Sequence, residues 1–504
     1  MTGADPPAAC LWVSGPSSTR FTKFTAFLFV VAVACYIAAR LWRLKSYGLF
    51  GDEVFTFWVA DQNLGSLIAA VAGDVVHPPL FYLALKYWIA LGGSSILWLK
   101  LLPVLFSFAA IPPLSLLCRE LKMPAAAINL TLWLMAFNAF LVGYAQELRM
   151  YSLLMTLTIT SLWLFVKLVN RDPSAARIQL SLMVVNLLLV FTHYYGWLIV
   201  ALELSFLLIW KRGSARGFTI AVGTILCAFA PWAYVVAREA GNRPARVNFV
   251  WNAAPGLTDL AGFYANLNGA LSYRWRFFGT ALVMIMFATP IVAWGTKVLR
   301  SKRAKGERQP DEARAFYWLA VFAFAPAAIS FCASHLLSQS VWAPRYLIIA
   351  APAYLMLVSA AAFKLPGKRV GIAAAAVLLA WGFVSGATDL RNRDKIAWEP
   401  LVSEMLRAES STAPGLKVYS IDPNLGNTIQ FFLDRLSKER CEAVYVESLA
   451  GLQGDHFWVA HIRYKHEIGP LPQQIMRDSG YEVGDGFEAE APNHKGFLFP
   501  VWKR

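Results

Sequence analysis

The stretch "SYGLFGDEVFTFWVADQN" (46–63) places two adjacent carboxylates, Asp52 and Glu53, among aromatic residues directly after the first long apolar run. A charge at the edge of a membrane costs free energy and is usually retained for a function. The pair also has a structural interpretation, because Asp can cap a helix and Glu in a first turn favours the helix dipole. For Glu53 both interpretations stay open.

The composition identifies the class of protein. Hydrophobic residues make up 57% of the 504 residues and charged residues only 15%. Apolar runs of about 17 to 25 residues, enough to cross a bilayer, recur between residues 24 and 384. We predict an all-α polytopic membrane domain followed by a small soluble α/β domain. The expected boundaries are 1–23 for a disordered cytoplasmic N-terminus, 24–388 for the membrane domain and 389–504 for the extracytoplasmic domain.

Basic loops indicate the orientation of the membrane domain. A net charge of +15 could suggest nucleic acid, but Lys and Arg of polytopic proteins collect on cytoplasmic loops. We therefore expect no nucleic acid partner. Five short basic loops are predicted to be cytoplasmic: 118–122, 167–177, 211–216, 300–314 and 364–369. Hydropathy predicts about eleven spans, at 24–40, 98–117, 124–143, 150–168, 178–192, 197–211, 217–237, 276–298, 315–335, 345–363 and 368–386.

One apolar stretch does not fit this alternation of loops. If residues 118–122 are cytoplasmic, both ends of the stretch 77–92 must face outward, so we predict a helix that lies in the membrane interface. Its length is marginal for a span, and the run Lys86–Tyr87–Trp88 suits an interfacial position. The alternative, an ordinary transmembrane helix, would move one or more later crossings.

The first span also breaks the charge rule. Arg40, Arg43 and Lys45 follow it on the outer side and outnumber the cations before it. Either the first helix has the opposite orientation, or these cations serve an anionic ligand.

Further polar residues gather at the predicted outer edge. The stretch "QELRMY" (146–151) supplies a second carboxylate, Glu147, with an Arg two residues later. "THYYGWL" (192–198) adds His193 where a span ends, and "WAPRYL" (342–347) adds Arg345. Arg345 could reach the phosphates of bulk lipid, or it could hold one particular phosphate with both guanidinium nitrogens. Two carboxylate loops at one membrane edge indicate a functional site.

Five stretches in order resemble a known superfamily. "GDEVFTFW", "HPPLFYLALKYW", "YAQELRMYSLL", "THYYGWL" and "APRYLIIAAPAY" are similar to the polytopic C-type (GT-C-like) glycosyltransferases, which include the protein O-mannosyltransferases and the aminoarabinose transferase of lipid A. The resemblance covers about residues 20 to 390. It implies an active site on the outer face, a donor sugar on a polyprenyl monophosphate, and inversion at the anomeric carbon.

The resemblance also implies roles for individual residues. Asp52 matches the acid of the first loop, which acts as catalytic base or orients the acceptor. Glu53 completes the acidic pair and Glu147 matches the acid of the second loop, so Asp52, Glu53 and Glu147 are the predicted catalytic residues. Arg345 matches a ligand of the donor phosphate. Lys100 stands where relatives often have Arg, and a Lys cannot bind a phosphate bidentately. The predicted substrate-binding residues are His77, Lys86, Lys100, Gln146, Arg149, Tyr151, His193, Tyr194, Arg345 and Tyr346.

The expected function is therefore transfer of a single sugar, mannosyltransferase-like, by an enzyme of a bacterial inner membrane. Its partners would be the polyprenyl-phosphate sugar, membrane lipids and a glycan, lipid or protein acceptor on the outer face. No cofactor is assigned, and a divalent metal stays open because no ligand spacing identifies one. The alternatives are a transporter or flippase, and a transferase that moves oligosaccharides or phospho-groups on the same carriers.

The polar tail predicts a small α/β domain. Strands are expected at 416–422, 441–447 and 455–464, and amphipathic helices near 425–437 and 471–479. The tail contains no phosphate-binding fingerprint, so no nucleotide is assigned. It could cover the site or hold the acceptor, or simply pack against the membrane domain.

Overall fold

The computed structural model describes residues 22–503, apart from 171–175, 211, 243–252, 270–277, 305–310, 393–394, 410–414, 438–440, 466 and 468. The predicted N-terminal segment 1–23 lies almost wholly outside this range. The helices before the tail are α1 (Lys23–Leu41), α2 (Asp52–Asp61), α3 (Leu64–Asp74), α4 (Leu80–Gly92), α5 (Ile96–Ala109), α6 (Ile111–Glu120), α7 (Ala125–Phe137), α8 (Ala139–Ala145), α9 (Tyr151–Asn170), α10 (Ala176–Thr192), α11 (Gly196–Trp210), α12 (Arg212–Asn242), α13 (Leu257–Leu267), α14 (Phe278–Ala304), α15 (Asp311–Leu336), α16 (Ala351–Ala362) and α17 (Lys368–Arg391). A 3-10 helix, Pro344–Ile349, precedes α16.

The predicted helical membrane domain is confirmed. Among the described residues, seven helices are long and apolar enough to cross a membrane, or eight if α7 and α8, which are bent by 62° at their break, form one span. The other three predicted spans coincide with shorter apolar helices, at 176–192, 196–209 and 351–362. The predicted number of about eleven spans therefore depends on whether these three short helices also cross.

Helix α4 covers the stretch that we predict to lie in the interface. It has 13 residues, so at a rise of about 1.5 Å per residue it spans about 20 Å, less than a hydrocarbon core of about 30 Å. The indole nitrogen of Trp88 donates to the Trp98 carbonyl and that of Trp98 donates to the Trp88 carbonyl, and their rings stack 4.1 Å apart. This reciprocal pair fixes the turn between α4 and α5.

Arg40 lies inside the helix bundle rather than in a ligand site. Its side chain is fully buried, with Nε donating to Ser107 Oγ at 2.7 Å and Nη2 donating to the Met135 carbonyl at 3.2 Å. The guanidinium also lies 3.3 Å above the ring of Tyr36. Arg40 therefore joins α1, α5 and α7, and the expectation that it serves an anionic ligand is wrong.

Helix α16 forms the centre of the bundle. Every residue of Ala351–Ala362 is buried, and the helix packs against α7, α14 and α15. Six of its twelve side chains are Ala or Ser, small residues that let helix backbones approach closely where no hydrophobic effect drives association.

The tail folds as the predicted α/β domain. It contains α18 (Trp398–Ala408), β1 (Leu416–Ser420), α19 (Pro423–Leu436), β2 (Cys441–Tyr445), β3 (His456–Tyr464), α20 (Pro472–Asp478), β4 (Tyr481–Val483), β5 (Phe487–Glu490) and β6 (His494–Lys503). The described strands form one sheet in the order β2-β1-β3-β6-β4, with β5 also paired to β6. Strand β1 is parallel to β2 and β3, whereas β6 is antiparallel to its neighbours. Sequence reasoning found β1 to β3, α19 and α20, and missed the C-terminal strands.

Helix α19 docks this domain directly on the loop that leads into α2. The Thr428 hydroxyl accepts the Gly51 N–H at 3.0 Å, and Phe431 packs edge-on against Phe57 with ring centroids 5.5 Å apart. Gly48 faces the buried ring of Phe432 so closely that an added Cβ would lie 2.3 Å from Phe432 Cζ. Gly51 also has a φ of 46°, which disfavours other residues. The two glycines thus allow the domain to approach the "GDE" loop.

We expect Gly48→Ala to lower the thermal unfolding midpoint and to loosen the C-terminal domain, because the added methyl overlaps a buried ring. Overpacking of this kind costs about 1 to 3 kcal/mol. Thermal unfolding in detergent and limited proteolysis would measure the effect. Gly143→Ala is the matched control, since an added Cβ there meets no atom within 4 Å. Equal midpoints for the two variants would contradict the docking geometry.

Candidate active site

A cavity of about 360 Å³ lies between the helical domain and the C-terminal domain. The loop before α2 and the first turn of α2 form one side, and the C-terminal domain forms the opposite side. The ionisable and polar residues that line it are Tyr47, Asp52, Glu53, Glu147, Arg149, Arg345, Lys395, Asn424, Tyr464 and His494. The predicted acids of both loops are therefore brought together with the predicted Arg345.

Asp52 is the first residue of α2, where the helix dipole favours a negative charge. Its Oδ2 lies 3.3 Å from Arg345 Nη1 and 4.0 Å from Arg149 Nη2. The carboxylate is 49% exposed and the Arg345 side chain 39% exposed, so both remain accessible from the cavity. Asp52 and Arg345 are 293 residues apart in the chain, and only the fold places this carboxylate beside this guanidinium.

Arg149 holds the first turn of α2 in place. Its Nη1 donates to the Thr56 hydroxyl at 2.7 Å and to the Asp52 carbonyl at 3.2 Å. The side chain is almost wholly buried, and a buried guanidinium with several acceptors is a rigid support. Arg149 therefore orients Asp52 and adds positive charge behind it, as the "QELRMY" stretch suggested.

Glu53 lines the cavity, but its side chain is almost wholly buried. Its Oε1 accepts the Leu148 N–H at 2.8 Å and lies 3.9 Å from Lys100 Nζ. Its Oε2 lies 3.7 Å from Lys395 Nζ. The carboxylate thus joins the two acidic loops, which favours a positioning role for Glu53 over a simple first-turn acid.

Lys395 is a site residue that sequence reasoning missed. It follows the last membrane helix, and its Nζ lies 3.7 Å from Glu53 Oε2 and 3.7 Å from Glu147 Oε1. A single Lys in a polar linker carries no motif, and no local signal in the sequence could have identified it. The structure assigns it to the carboxylate cluster because its ammonium group lies beside both Glu53 and Glu147.

The three carboxyls differ in their proton affinity. Burial alone would raise the pKa of Asp52, but Arg149 and Arg345 outweigh it and hold the pKa below the usual 3.8. Burial would also raise the pKa of Glu53, but Lys100 and Lys395 outweigh it and lower that pKa from 4.5. Burial dominates for Glu147, and its pKa is raised from 4.5 despite Lys395. Asp52 and Glu53 are therefore ionised at neutral pH, and Glu147 is the first to bind a proton as pH falls.

Two predicted histidines lie behind Arg149 in an aromatic group. The rings of His77 and His193 are 5.3 Å apart, and Tyr346 lies 4.5 Å from His193. Arg149 Nη2 lies 3.5 Å from His77 Nδ1. Burial and then Arg149 lower the pKa of His77 well below 6.5, and burial and then His77 do the same for His193. Tyr151 is buried beside this group. Its histidines are thus neutral at physiological pH.

Four further predicted substrate-binding residues, like the histidines, Tyr151 and Tyr346, lie outside the cavity lining, and they bind other parts of the protein. Lys86 donates to the Gln62 carbonyl, and Lys100 donates to the Tyr47 and Gly48 carbonyls at 2.8 and 3.1 Å. Gln146 donates to the Arg40 carbonyl at 2.7 Å, and the Tyr194 hydroxyl accepts from Trp232 at 3.3 Å. These contacts hold loops and helix ends together, and the structure does not bring these four side chains to the cavity.

Metal ligation has little support in this geometry. Within the described ranges, no three His, Cys, Asp or Glu side chains are grouped so that they could hold a metal ion. The cations nearest the carboxylates are instead Arg and Lys side chains. We assign no step of the reaction proposed below to a metal.

Comparison with known proteins identifies the fold. No protein-family model matches the sequence, and no curated protein matches it significantly. ArnT from Cupriavidus metallidurans in the apo state matches with a TM-score of 0.57 and 12% identity, over 94% of this chain and 97% of ArnT. ArnT from the same organism bound to undecaprenyl phosphate matches with a TM-score of 0.54 and 12% identity, over 95% of this chain and 98% of ArnT. The chain has the ArnT-like GT-C fold, which confirms the predicted fold class. A match at 12% identity shows the fold alone, so the function must be argued from the site.

We expect Lys395→Met to destabilise the protein by about 1 to 3 kcal/mol at pH 8, because two largely buried carboxylates lose their shared cation. Without that cation both pKa values rise. The loss should shrink as pH falls from 8 towards 4.5, because the carboxyls of the variant, with their raised pKa values, bind protons and no longer need the cation.

Unfolding midpoints at pH 8 and pH 4.5 would test this pH dependence. Lys417→Met, on strand β1 outside the cavity, is the matched control. A loss that stays equal at both pH values would show that Lys395 contributes packing rather than charge.

Proposed function

We propose that this protein is an inverting glycosyltransferase that moves a single sugar from a polyprenyl-phosphate donor to an acceptor hydroxyl at the outer face of the membrane. The observation that carries the proposal is the ion pair of Asp52 and Arg345, 3.3 Å apart and both accessible from one cavity. A transferase of this kind needs a carboxylate for the nucleophile and a cation for the leaving phosphate.

Arg345 is suited to the leaving group. Its guanidinium can bind two phosphate oxygens at once, and Arg149 adds a second positive charge nearby. ArnT, whose fold this chain shares, has been observed with undecaprenyl phosphate bound, which supports a polyprenyl phosphate carrier here. A lipid-linked donor also accounts for a cavity at the ends of membrane helices, because the tail stays in the bilayer while the sugar enters the cavity.

Asp52 is suited to activate the acceptor. As the acceptor oxygen attacks the anomeric carbon from the face opposite the phosphate, its proton passes to an Asp52 oxygen. The bond between the anomeric carbon and the phosphate oxygen breaks, and its electron pair leaves with the polyprenyl phosphate. A donor phosphate on Arg345 competes with Asp52 for the same guanidinium, and this raises the proton affinity of the carboxylate when the donor is bound.

Four other side chains support this reaction by holding Asp52 in position: Glu53, Glu147, Arg149 and Lys395. Glu53 joins the first turn of α2 to the loop before α9, and Lys395 joins Glu53 to Glu147. Catalytic side chains must be held within a fraction of an ångström of their productive geometry. The buried network supplies that rigidity behind the two accessible side chains.

The central test is transfer of labelled sugar by the purified protein in lipid nanodiscs. The donors are undecaprenyl-phosphate mannose and undecaprenyl-phosphate glucose, each radiolabelled in the sugar, with membrane-derived acceptors. We expect labelled product and released undecaprenyl phosphate, with transfer reduced about 100-fold or more by Asp52→Asn. Asp61→Asn, at the other end of the same helix, is the matched control.

Two outcomes would contradict this proposal. Unchanged transfer by a folded Asp52→Asn variant would remove Asp52 from the mechanism. Uptake of a solute into proteoliposomes without sugar transfer would favour a transporter. Product analysis by NMR would show whether the anomeric configuration is inverted.

Arg345 gives an independent prediction. Arg345→Met should raise the KM for the donor about 10- to 100-fold, since a charged hydrogen bond to phosphate contributes about 1.5 to 3 kcal/mol. Arg345→Lys should recover part of the loss, because it keeps the charge but not the bidentate geometry. Initial rates at varied donor concentration would measure both. An unchanged donor KM in Arg345→Met would place the phosphate elsewhere.

A further inference from the structure

The cavity has two chemically different walls. Every Asp, Glu and Arg that lines it, together with Lys395, belongs to the helical domain or the linker that follows it. The C-terminal domain contributes Trp398, Asn424, Phe432, Ile462, Tyr464 and His494 to the lining. Among these described lining residues of the C-terminal domain, none is Asp, Glu, Lys or Arg. This wall therefore offers hydrogen-bonding groups and an aromatic surface.

Tyr464 and His494 form a fixed pair on this wall. They are cross-strand partners at the ends of β3 and β6, and their rings lie 5.7 Å apart with an interplanar angle of 50°. Tyr464 is 44% exposed, an unusual exposure for an aromatic ring that lines a cavity. Residues on a sheet are held more precisely than residues on a loop, and the pair thus presents a rigid surface.

Asn424 extends this wall towards the catalytic loop. It lies in the first turn of α19, and its Cβ is 3.3 Å from the position that a Cβ of Gly51 would occupy. Gly51 directly precedes Asp52. Asn424, which is exposed, therefore approaches the residue directly before the carboxylate that is proposed to activate the acceptor, and its amide can both donate and accept hydrogen bonds.

These features match a sugar ring. A saccharide has an apolar C–H face that packs on an aromatic ring and a rim of hydroxyls that hydrogen-bond to amide and imidazole groups. A phosphate would instead need the cations, which lie on the other wall. The volume of about 360 Å³ is near the lower end for small-molecule sites, about 300 to 1,000 Å³, and suits one or two sugar rings better than a peptide segment.

We propose that Tyr464, His494 and Asn424 form the acceptor subsite, and that the acceptor is a glycan whose hydroxyl is presented to Asp52. This inference rests on the proposed function and specifies the acceptor class that the function leaves open. The donor phosphate binds the cationic wall and the acceptor sugar binds the C-terminal domain, so the two substrates meet at Asp52.

The test compares Tyr464→Ala with Tyr464→Phe in the transfer assay. Methyl α-D-mannopyranoside and methyl β-D-glucopyranoside serve as acceptor probes, a Ser-containing peptide as the rival acceptor, and undecaprenyl-phosphate mannose or glucose as the donor. We expect Tyr464→Ala to raise the KM for the glycoside about fivefold to tenfold, the loss of one aromatic contact. The KM for the donor and its hydrolysis by water should not change.

Two controls separate stacking from general damage to the domain. Tyr464→Phe keeps the ring and should retain a KM close to that of the parent protein. Tyr445→Ala removes a tyrosine of similar exposure, 47%, that lies on β2 of the same domain outside the cavity lining, and it should leave every constant unchanged.

The outcomes distinguish this inference from the proposed function. If the donor is consumed but the acceptor KM is the same in Tyr464→Ala and Tyr445→Ala, the acceptor subsite is overturned. The proposed transferase function would stand in that case. Transfer to the peptide but not to either glycoside would overturn it in the same way. If neither donor is consumed, with glycoside, peptide or water, the proposed function fails and the subsite fails with it.

Discussion

The buried carboxylate of Glu53 is the interaction on which the site depends. It accepts the Leu148 N–H and lies close to Lys100 and Lys395, so it connects the loop before α2, helix α5, the loop before α9 and the linker to the C-terminal domain. Removing one partner from a buried ionic cluster leaves an uncompensated charge, which costs far more than a surface pair contributes. These four segments are therefore held in one arrangement, and Asp52 and Arg345 can meet across the cavity mouth.

The membrane helices were predictable because hydropathy and loop charge are local properties of the chain. Strands β1 to β3 were predictable for the same reason, since their apolar runs are bounded by turn residues. The acids of both loops and Arg345 were found through ordered motifs. Lys395 was not, because its partners Glu53 and Glu147 lie hundreds of residues away and its own surroundings in the sequence carry no pattern. The burial of Arg40 was missed because Ser107 and the Met135 carbonyl become its partners only after folding.

The glycines of the first loop link the membrane domain to the soluble domain. In the sequence, Gly48 and Gly51 look like ordinary turn residues beside the acidic pair. In the structure they are the points where Phe432 and Asn424 of α19 approach the loop. The C-terminal domain is thus part of the site, since the same helix that closes the cavity also fixes the start of α2. In the proposed function, a domain placed in this way restricts which acceptors reach Asp52.

The ion pairs of Asp52 create an apparent conflict with its role as a base, because two guanidinium groups lower the pKa of the carboxyl. A group with low proton affinity is a weak base. The conflict is resolved if the donor phosphate and Asp52 share Arg345. Each phosphate oxygen that binds the guanidinium weakens the attraction between Arg345 and the Asp52 carboxylate. Donor binding then makes Asp52 more basic and leaves Arg149 to orient it through the Asp52 carbonyl and Thr56. In the proposed reaction the order of events follows from electrostatics, because the acceptor is activated fully only when a leaving group is already in place.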